Sequence, residues 1–273
     1  MIPAAFDYLR ARSAEEAVAA LREHGDDAKL LAGGMSLLPL MKLRLATPAI
    51  LVDLGRVREF SYVRDAGEHL AVGALTRHRD LETNELLADQ CAALRAVAAE
   101  VGDSKVRHRG TIGGSVAHGD PASDLPALLL ALDATFVVRG PGGERTVPVR
   151  EFFHGFLETA LEPDELLTEI QVPKLPGAGF SYQKFQRRAQ DWAIVGATAV
   201  RNGGTRVALV NMGGTPLRAT GVEESLAQGA SPAEAAQRAA EGTEPPGDLN
   251  ATPDYREHLG RVLVRRALEA ASA

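Results

Sequence analysis

The chain has 273 residues, of which 45% are hydrophobic and 24% charged, and its formal net charge is −6. This composition is typical of a globular protein, and its acidic balance argues against a nucleic-acid partner. The single cysteine, Cys91, excludes an internal disulfide, and it excludes an iron–sulfur cluster or zinc site held by this chain's own thiolates. The N-terminal residues lack the apolar core of a signal peptide, and no run approaches the roughly 18 apolar residues of a membrane span. We therefore expect a cytoplasmic protein with no membrane span.

The first 55 residues predict a small unit of alternating helices and strands. Residues 13–16 have the sequence of a capping box, which opens a helix that Gly25 ends. A strand over 29–32 then runs into Gly33-Gly34, Ser36 opens a second helix, and 50–54 predicts another buried strand.

The middle of the chain predicts a β-hairpin followed by helices and further strands. The hairpin turns at Ala66-Gly67, and the elements after it are a helix from about 80 to 101, a helix over 125–132 and strands over 135–139, 145–149 and 165–172. The glycine-rich segment 102–124 shows neither helical nor strand periodicity, so we expect an irregular functional loop there.

A Pro/Gly-rich stretch, 176–179, predicts a boundary before the last part of the chain. Three antiparallel strands are expected beyond it, over 180–186, 193–200 and 206–212. Capping signals at 231–234 and 252–253 open two closing helices, with a surface loop at 242–250 between them. The predicted domains are 1–55, 56–176 and 177–273.

Two glycine pairs, each followed by a hydroxyl residue, are the first candidates for a binding site. Because glycine lacks Cβ, backbone N–H groups in such a loop can come close to a phosphate, and the following helix terminus and hydroxyl can add further donors. Two such loops suggest convergence on one diphosphate, although two unrelated turns are an equal alternative. Neither loop has the GxGxxG or GxxxxGK[ST] pattern, which argues against a Rossmann domain or a P-loop NTPase. The two segments are Ala32, Gly33, Gly34, Met35, Ser36 and Thr111, Ile112, Gly113, Gly114, Ser115.

Other polar residues support two interpretations each. The spacing of His118, Asp120 and Asp124 fits no standard metal-ligand pattern, and Asp124 either caps its own helix, the commoner role, or accepts from ribose hydroxyls. Lys184, next to Arg187 and Arg188, belongs either to a charged edge or to an anion site.

Single residues of other types also have an ordinary interpretation. Trp192 is expected either as a buried anchor or as a ring that stacks on a planar ligand. His78 and His108 lie between arginines and are expected on solvated surfaces, and Cys91 is expected in the core as an unreactive residue.

Several segments together resemble one known family across essentially the whole chain. LLAGGMSLLPLMKLRLATPAILVDL, TIGGSVAHGDPASDLPALLLALDA, ELLTEIQVP and YQKFQRRAQDWAIVGATA resemble the FAD-binding medium subunit of molybdenum hydroxylases, the family of carbon monoxide dehydrogenase and xanthine dehydrogenase. The resemblance implies an α+β fold. Two subdomains would form an FAD-binding fold of the PCMH (vanillyl-alcohol oxidase-like) type, and a C-terminal domain would pack a three-stranded antiparallel sheet against helices.

The resemblance also implies roles for individual residues. Both glycine segments would hold the FAD pyrophosphate, and Asp124 matches the family's FAD-binding carboxylate. Leu167 would lie at the adenine or flavin edge, Lys184 near the flavin carbonyls and Trp192 near the isoalloxazine ring. No histidine or cysteine stands out as a covalent flavin link, so the FAD is expected to be non-covalent. The chain also lacks the cysteine-rich insertion that carries an extra iron–sulfur cluster in one branch.

The implied function is electron transfer within a larger assembly. Substrate would be oxidised at a molybdenum cofactor in a large subunit, and [2Fe–2S] clusters of a small subunit would pass electrons to the FAD and on to an external acceptor. The expected assembly is a dimer of heterotrimers. Two alternatives remain: a self-sufficient FAD oxidoreductase similar to the enolpyruvyl-glucosamine reductases, and a nucleotide-binding or scaffold protein without redox chemistry.

Overall fold

Three larger sheets follow one another along the chain in the computed structural model, which describes residues 1–271. The first is parallel, in the order β1-β3-β2, with helices after β1 and β2; its elements are β1 (Asp7–Arg10), α1 (Ala14–His24), β2 (Ala28–Leu31), α2 (Leu37–Leu43) and β3 (Ile50–Asp53). Parallel strands end at one common edge, and ligand sites of open α/β sheets lie at that edge. The first glycine loop leaves β2 there.

The predicted caps of α1 are present, with one change. The Ser13 side chain accepts from the Glu16 N–H at 3.3 Å, and Gly25 ends the helix with a φ of +52°. The Glu16 carboxylate accepts from the Arg12 N–H at 2.8 Å and not from Ser13, so only half of the predicted capping box forms. Strand β1 was not predicted.

The second sheet has five antiparallel strands in the order β4-β5-β10-β6-β7. The predicted hairpin forms its edge as β4 (Val63–Asp65) and β5 (His69–Gly73). The other three strands are β6 (Thr135–Gly140), β7 (Gly143–Pro148) and β10 (Leu166–Pro173), all predicted. A small hairpin of β8 (Phe153–Gly155) and β9 (Glu158–Thr159) was not predicted.

The helices of this part differ most from the prediction. The single helix expected from 80 to 101 is three short ones, α3 (His78–Glu82), α4 (Glu85–Gln90) and α5 (Ala92–Ala99), because Asn84 caps α4 and Cys91 leaves helical geometry at φ −159°. The segment expected to be irregular holds α6 (Ser104–Arg109) and α7 (Ile112–His118). The side chains of Asp103 and Thr111 cap these two helices, and in α7 the cap offsets the poor helix propensity of Gly113 and Gly114.

The last sheet is antiparallel in the order β11-β12-β13-β14. The three predicted strands form as β11 (Gly179–Phe185), β12 (Val195–Arg201) and β13 (Thr205–Val210), and the two-residue strand β14 (Leu217–Arg218) adds a fourth. Three helices follow, α9 (Thr220–Ala227), α10 (Pro232–Ala235) and α11 (Pro253–Ala270), of which α9 was not predicted. The capping box of Ser231 and Glu234 is complete, and Thr252 caps α11.

Helix α8 (Asp124–Ala131) joins the central part to the last sheet. Every one of its residues is buried. Along β12 and β13 the side chains alternate: Val200, Ala208 and Val210 belong to the central core, whereas Val207 and Leu209 pack with α9–α11. The C-terminal sheet is thus covered on both faces, and its α8 side is continuous with the central core. The division into domains at 55/56 and 176/177 remains a prediction.

Among residues 1–271, no helix is long and apolar enough to cross a membrane.

Candidate functional site

A cleft of 760 Å³ gathers residues from all three sheets and from both glycine loops. Of the residues predicted for the site, every one except Ile112 lines this cleft. The Ile112 side chain is fully buried in the central core. The volume lies in the range of small-molecule and cofactor sites.

The first glycine loop presents a row of free backbone donors. The N–H groups of Gly33, Gly34, Met35 and Ser36 donate no hydrogen bond to any described residue. Gly34 has a φ of +77°, a conformation that favours glycine, and it turns the chain from β2 into α2. The Ser36 hydroxyl makes no capping bond to α2. Consecutive free N–H groups of this kind form a concave site for an anion.

The second glycine loop is different, because its backbone donors are used inside the protein. Gly113 N–H donates to the Ala74 carbonyl at 2.8 Å, Gly114 N–H to the Thr111 hydroxyl at 3.1 Å, and Ser115 N–H to the Thr111 carbonyl at 3.0 Å. The expected backbone donors are therefore occupied. This loop has two side-chain hydroxyls left to offer a ligand, those of Thr111 and Ser115.

The two loops are in direct contact. A Cβ on Gly33 would overlap the Arg109 carbonyl oxygen and lie 2.8 Å from the Gly110 Cα. A Cβ on Gly114 would point toward Ala32, at 3.9 Å from its Cβ. The absence of a side chain at Gly33 thus serves the packing of loop against loop, in addition to any approach of a phosphate.

Asp124 is a buried carboxylate at the wall of the cleft, 7% exposed. Its Oδ1 accepts from the Tyr182 hydroxyl at 2.5 Å, and Lys184 Nζ lies 3.0 Å from the same oxygen. Burial raises the pKa of Asp124, and the Lys184 ammonium and the Tyr182 hydrogen bond oppose that rise. Ser123 occupies the N-cap position of α8, so the interpretation of Asp124 as a helix cap is wrong.

Lys184 is not part of a charged edge. Its side chain is only 5% exposed, and Nζ also donates to the Glu100 carbonyl at 3.1 Å. Arg188 instead pairs with Asp191 on the surface. The interpretation of Lys184 as an ordinary surface cation is wrong.

Leu167 and Trp192 mark other walls of the cleft. Leu167 precedes an irregularity in the pairing of β10 with β6, between Leu167 and Glu169, and is 7% exposed. Trp192 is 55% exposed, so the interpretation as a buried anchor is wrong, and its ring borders the cleft from the loop between β11 and β12.

His78 is the clearest residue that the sequence interpretation misplaced. It is 3% exposed, lines the cleft, and burial lowers its pKa to about 4. Its Nδ1 is buried and has no hydrogen-bond partner among residues 1–271. The helical spacing of His78 and the buried Leu81 was a signal that both lie on one inward face. Further cleft residues that were not singled out include Lys29, Val101, Gly102, Glu158 and Gln190.

The remaining expectations concern metals and the other single residues. The described residues contain no group of three or more His, Cys, Asp or Glu side chains placed to hold a metal ion. Asp120 accepts from the Ala122 N–H at 2.8 Å. Cys91 is buried, as expected, and burial raises the pKa of its thiol to about 11. His108 is exposed, as expected.

The cleft thus combines a row of anion donors, the hydroxyls of Thr111 and Ser115, a buried carboxylate acceptor and an accessible indole at its border. This donor set fits a dinucleotide cofactor such as FAD, which carries a diphosphate, hydroxyl groups and flat rings. His78 and His118 line the same cleft.

Comparisons with known proteins place the chain in one family. Residues 4–175 match the family model "FAD binding domain in molybdopterin dehydrogenase", and residues 180–271 match "CO dehydrogenase flavoprotein C-terminal domain". The chain is 43% identical to the carbon monoxide dehydrogenase medium chain of Hydrogenophaga pseudoflava over 100% of this chain and 99% of that one. It is 34% identical to the glyceraldehyde dehydrogenase medium chain of Sulfolobus acidocaldarius, over 98% and 99% of the two chains.

A solved structure gives the same result. The carbon monoxide dehydrogenase from Hydrogenophaga pseudoflava that lacks the Mo-pyranopterin moiety of the molybdenum cofactor matches with a TM-score of 0.96 at 43% identity, over 99% of this chain and 98% of that chain. The α+β fold, with an FAD-binding part followed by a C-terminal flavoprotein domain, is therefore confirmed. The chain belongs to the family of FAD-binding medium subunits of carbon monoxide dehydrogenase-type molybdenum hydroxylases.

Proposed function

We propose that this chain carries non-covalent FAD in a molybdenum hydroxylase, takes electrons from [2Fe–2S] clusters of a small partner subunit, and passes them to an external acceptor. The observation that carries the proposal is the row of four free N–H groups, Gly33 to Ser36, on the wall of a cleft that also holds the buried Asp124 carboxylate. A diphosphate and a hydroxyl-bearing chain satisfy these two groups at once.

The residues of this chain bind and orient the cofactor. The free amides of the first loop and the hydroxyls of Thr111 and Ser115 bind the diphosphate. Asp124 accepts hydrogen bonds from FAD hydroxyls, Leu167 packs on a ring, and Trp192 borders the isoalloxazine. Bound FAD supplies the redox chemistry, the exchange between one-electron and two-electron carriers, so this chain needs no acid or base of its own.

Lys184 supplies positive charge near the flavin carbonyls in this proposal. Its charge is shared with Asp124 at 3.0 Å, so the pair presents both an acceptor and a donor to the cleft. A cation beside the flavin carbonyls favours the reduced, anionic cofactor, because it compensates the added negative charge. Lys184 is thus assigned to tuning as well as to the structure of the site.

Substrate oxidation is assigned to a different chain of the assembly. The two relatives described above are named for chemically unrelated substrates, carbon monoxide and glyceraldehyde, although each matches this chain over nearly its full length. That similar medium chains occur in enzymes named for different substrates supports a molybdenum-binding large subunit as the chain that determines substrate specificity. The [2Fe–2S] small subunit completes a heterotrimer, which we propose to dimerise and to work in the cytoplasm.

The test uses the assembled complex. The chain is coexpressed with its two partner chains and purified, and the ratio of flavin to protein is measured by absorbance. We expect about one FAD per 273-residue chain. Stopped-flow absorbance then follows the flavin band when the substrate of the complex is added, and we expect bleaching in the complex and none in the 273-residue chain alone.

Two outcomes would contradict the proposal in different ways. Substrate-dependent bleaching in the lone chain would favour the self-sufficient oxidoreductase. A complex that purifies with full iron and molybdenum but without flavin would favour a scaffold without redox chemistry.

A further inference from the structure

Asp124 receives its hydrogen bonds from a part of the chain that lies far from it in sequence. Tyr182 and Lys184 lie two residues apart on β11, so their side chains share one face of the C-terminal sheet. Both reach the same carboxylate, Tyr182 at 2.5 Å and Lys184 at 3.0 Å. The C-terminal domain thereby completes a wall of the FAD cleft.

The two donors constrain the carboxylate differently. Lys184 Nζ lies 3.0 Å from Asp124 Oδ1 and 3.1 Å from Oδ2, and it also donates to the Glu100 carbonyl, so the ammonium contacts both carboxylate oxygens and a second element. The Tyr182 hydroxyl has a single acceptor among the described residues, Asp124 Oδ1. A phenol fixed at its ring can hold a carboxylate in one orientation, whereas an ammonium on a four-carbon chain acts as a point charge.

The neighbouring strand leaves room for this phenol. Gly196 on β12 lies opposite Lys184, and a Cβ at Gly196 would come within 3.1 Å of the Tyr182 hydroxyl oxygen. That distance is tighter than ordinary van der Waals contact. A side chain at Gly196 would also lie 3.0 Å from the Val210 Cβ, so it would press on two neighbours, of which the Tyr182 hydroxyl is one.

We infer that Tyr182 is a positioning residue of the FAD site, which orients the Asp124 carboxylate toward the cofactor. This inference rests on the function proposed above, in which Asp124 accepts from FAD. Tyr182 acts through Asp124. Without the Tyr182 hydroxyl, Asp124 keeps Lys184 on both oxygens but loses the one hydrogen bond that is made to Oδ1 alone.

The same arrangement controls the protonation of Asp124. The groups that act on its titration are Lys184 and Tyr182 from β11 and Glu100 from the end of α5. Burial and Glu100 raise the pKa of Asp124, whereas the two β11 groups lower it. Removing the Tyr182 hydroxyl takes away one of the lowering effects, so Asp124 becomes easier to protonate as the pH falls.

The experiment measures FAD binding to the flavin-depleted complex of this chain with its partners. FAD is titrated at several pH values from 6 to 8, and flavin fluorescence gives the dissociation constant. For Tyr182→Phe we expect the FAD dissociation constant to increase by about tenfold at pH 8, the effect of one lost charge-assisted hydrogen bond. We expect a further increase toward pH 6 that the wild-type complex does not show.

Tyr62 offers a matched control. Its hydroxyl donates to the Glu169 carboxylate at 2.6 Å, the same kind of bond, and neither residue lines the cleft. Tyr62→Phe should leave the FAD dissociation constant within about twofold of the wild type at every pH. Asp124→Asn tests whether Tyr182 acts through Asp124. In an Asp124→Asn background, adding Tyr182→Phe should change the FAD dissociation constant by less than about twofold, because the oriented carboxylate is already lost.

An FAD dissociation constant for Tyr182→Phe that equals the wild-type value at every pH would overturn the inference. An increase of the constant in Tyr62→Phe as large as in Tyr182→Phe would overturn it as well. If Tyr182→Phe prevents assembly of the complex, Gly196→Ala is the second variant, and we expect a smaller loss in the same direction. Unchanged binding in Gly196→Ala would then contradict the inference. A wild-type complex that binds no FAD would instead refute the proposed function itself.

Discussion

Replacing Gly33 by alanine should weaken FAD binding by moving one glycine loop away from the other. The added Cβ would lie 2.8 Å from the Gly110 Cα, whereas ordinary contact begins at 3.4 Å. The loops must therefore separate by about 0.6 Å, the difference between these distances, and more to relieve the overlap with the Arg109 carbonyl oxygen. Both obstacles are backbone, so no side-chain rotation relieves them.

The cost of this separation falls on both stability and binding. Overpacking of this kind typically lowers the free energy of unfolding by about 1–3 kcal/mol. The free amides of Gly33 to Ser36 move with the loop, so we expect the FAD dissociation constant to rise by at least about tenfold, which is about 1.4 kcal/mol. Urea unfolding measures the first effect, and FAD titration of the flavin-depleted complex measures the second.

Gly142→Ala and Gly204→Ala are the matched controls, because a Cβ at either position meets nothing within 4 Å. Both should leave stability and FAD binding close to wild type. If Gly33→Ala binds FAD as tightly as these controls do, the contact between the loops does not position the amides, and the reasoning is refuted.

Three further predictions concern buried groups. Burial lowers the pKa of His78 from 6.5 to about 4, so between these pH values the folded state binds fewer protons than the unfolded state, and the free energy of unfolding should fall by about 3 kcal/mol as the pH is lowered from 6.5 to 4. Urea unfolding of wild type and His78→Leu checks this, since the variant should lack that loss. Cys91, with its pKa raised to about 11, should resist iodoacetamide at pH 8 in the native chain and react in urea, as mass spectrometry would show; rapid native labelling would contradict its burial. Arg256 is 1% exposed and donates to the Ile194 carbonyl and, at 2.8 Å, to the exposed Asp248. Because Asn211 also donates to that carbonyl, Arg256→Met should lower the free energy of unfolding by only about 1–2 kcal/mol in urea unfolding, and an unchanged value would contradict this.

Much of the fold could be predicted because its signals are local. The strands that became β5 and β13 contain continuous apolar runs, and the caps at Ser13 and Ser231 are visible in four residues of sequence. The helices α6 and α7 were missed because side-chain caps and packing offset a glycine-rich composition that by itself disfavours a helix.

The candidate site, too, could be predicted only where its signals are local. The glycine loops were visible as sequence motifs. The hydrogen bond from the Gly113 N–H to the Ala74 carbonyl was not, because Ala74 follows β5 and the helices α3 to α6 separate it from Gly113. Asp124 and Tyr182 are 58 residues apart, and nothing local marks them as partners. His78, expected on the surface, is buried, and Trp192, for which a buried anchor was one of two expectations, is 55% exposed, because burial depends on what packs on a residue and not on its neighbours in sequence.

The contact between Gly33 and the Arg109–Gly110 backbone has a consequence for when the proposed site is formed during folding. These segments are distant in sequence, and Asp124 and Tyr182 are 58 residues apart. Contacts of such long sequence separation are slow to form, because the entropy of loop closure opposes them. In the proposed site the amides and the carboxylate come together only in the folded chain, so FAD bound there would stabilise the native state by mass action.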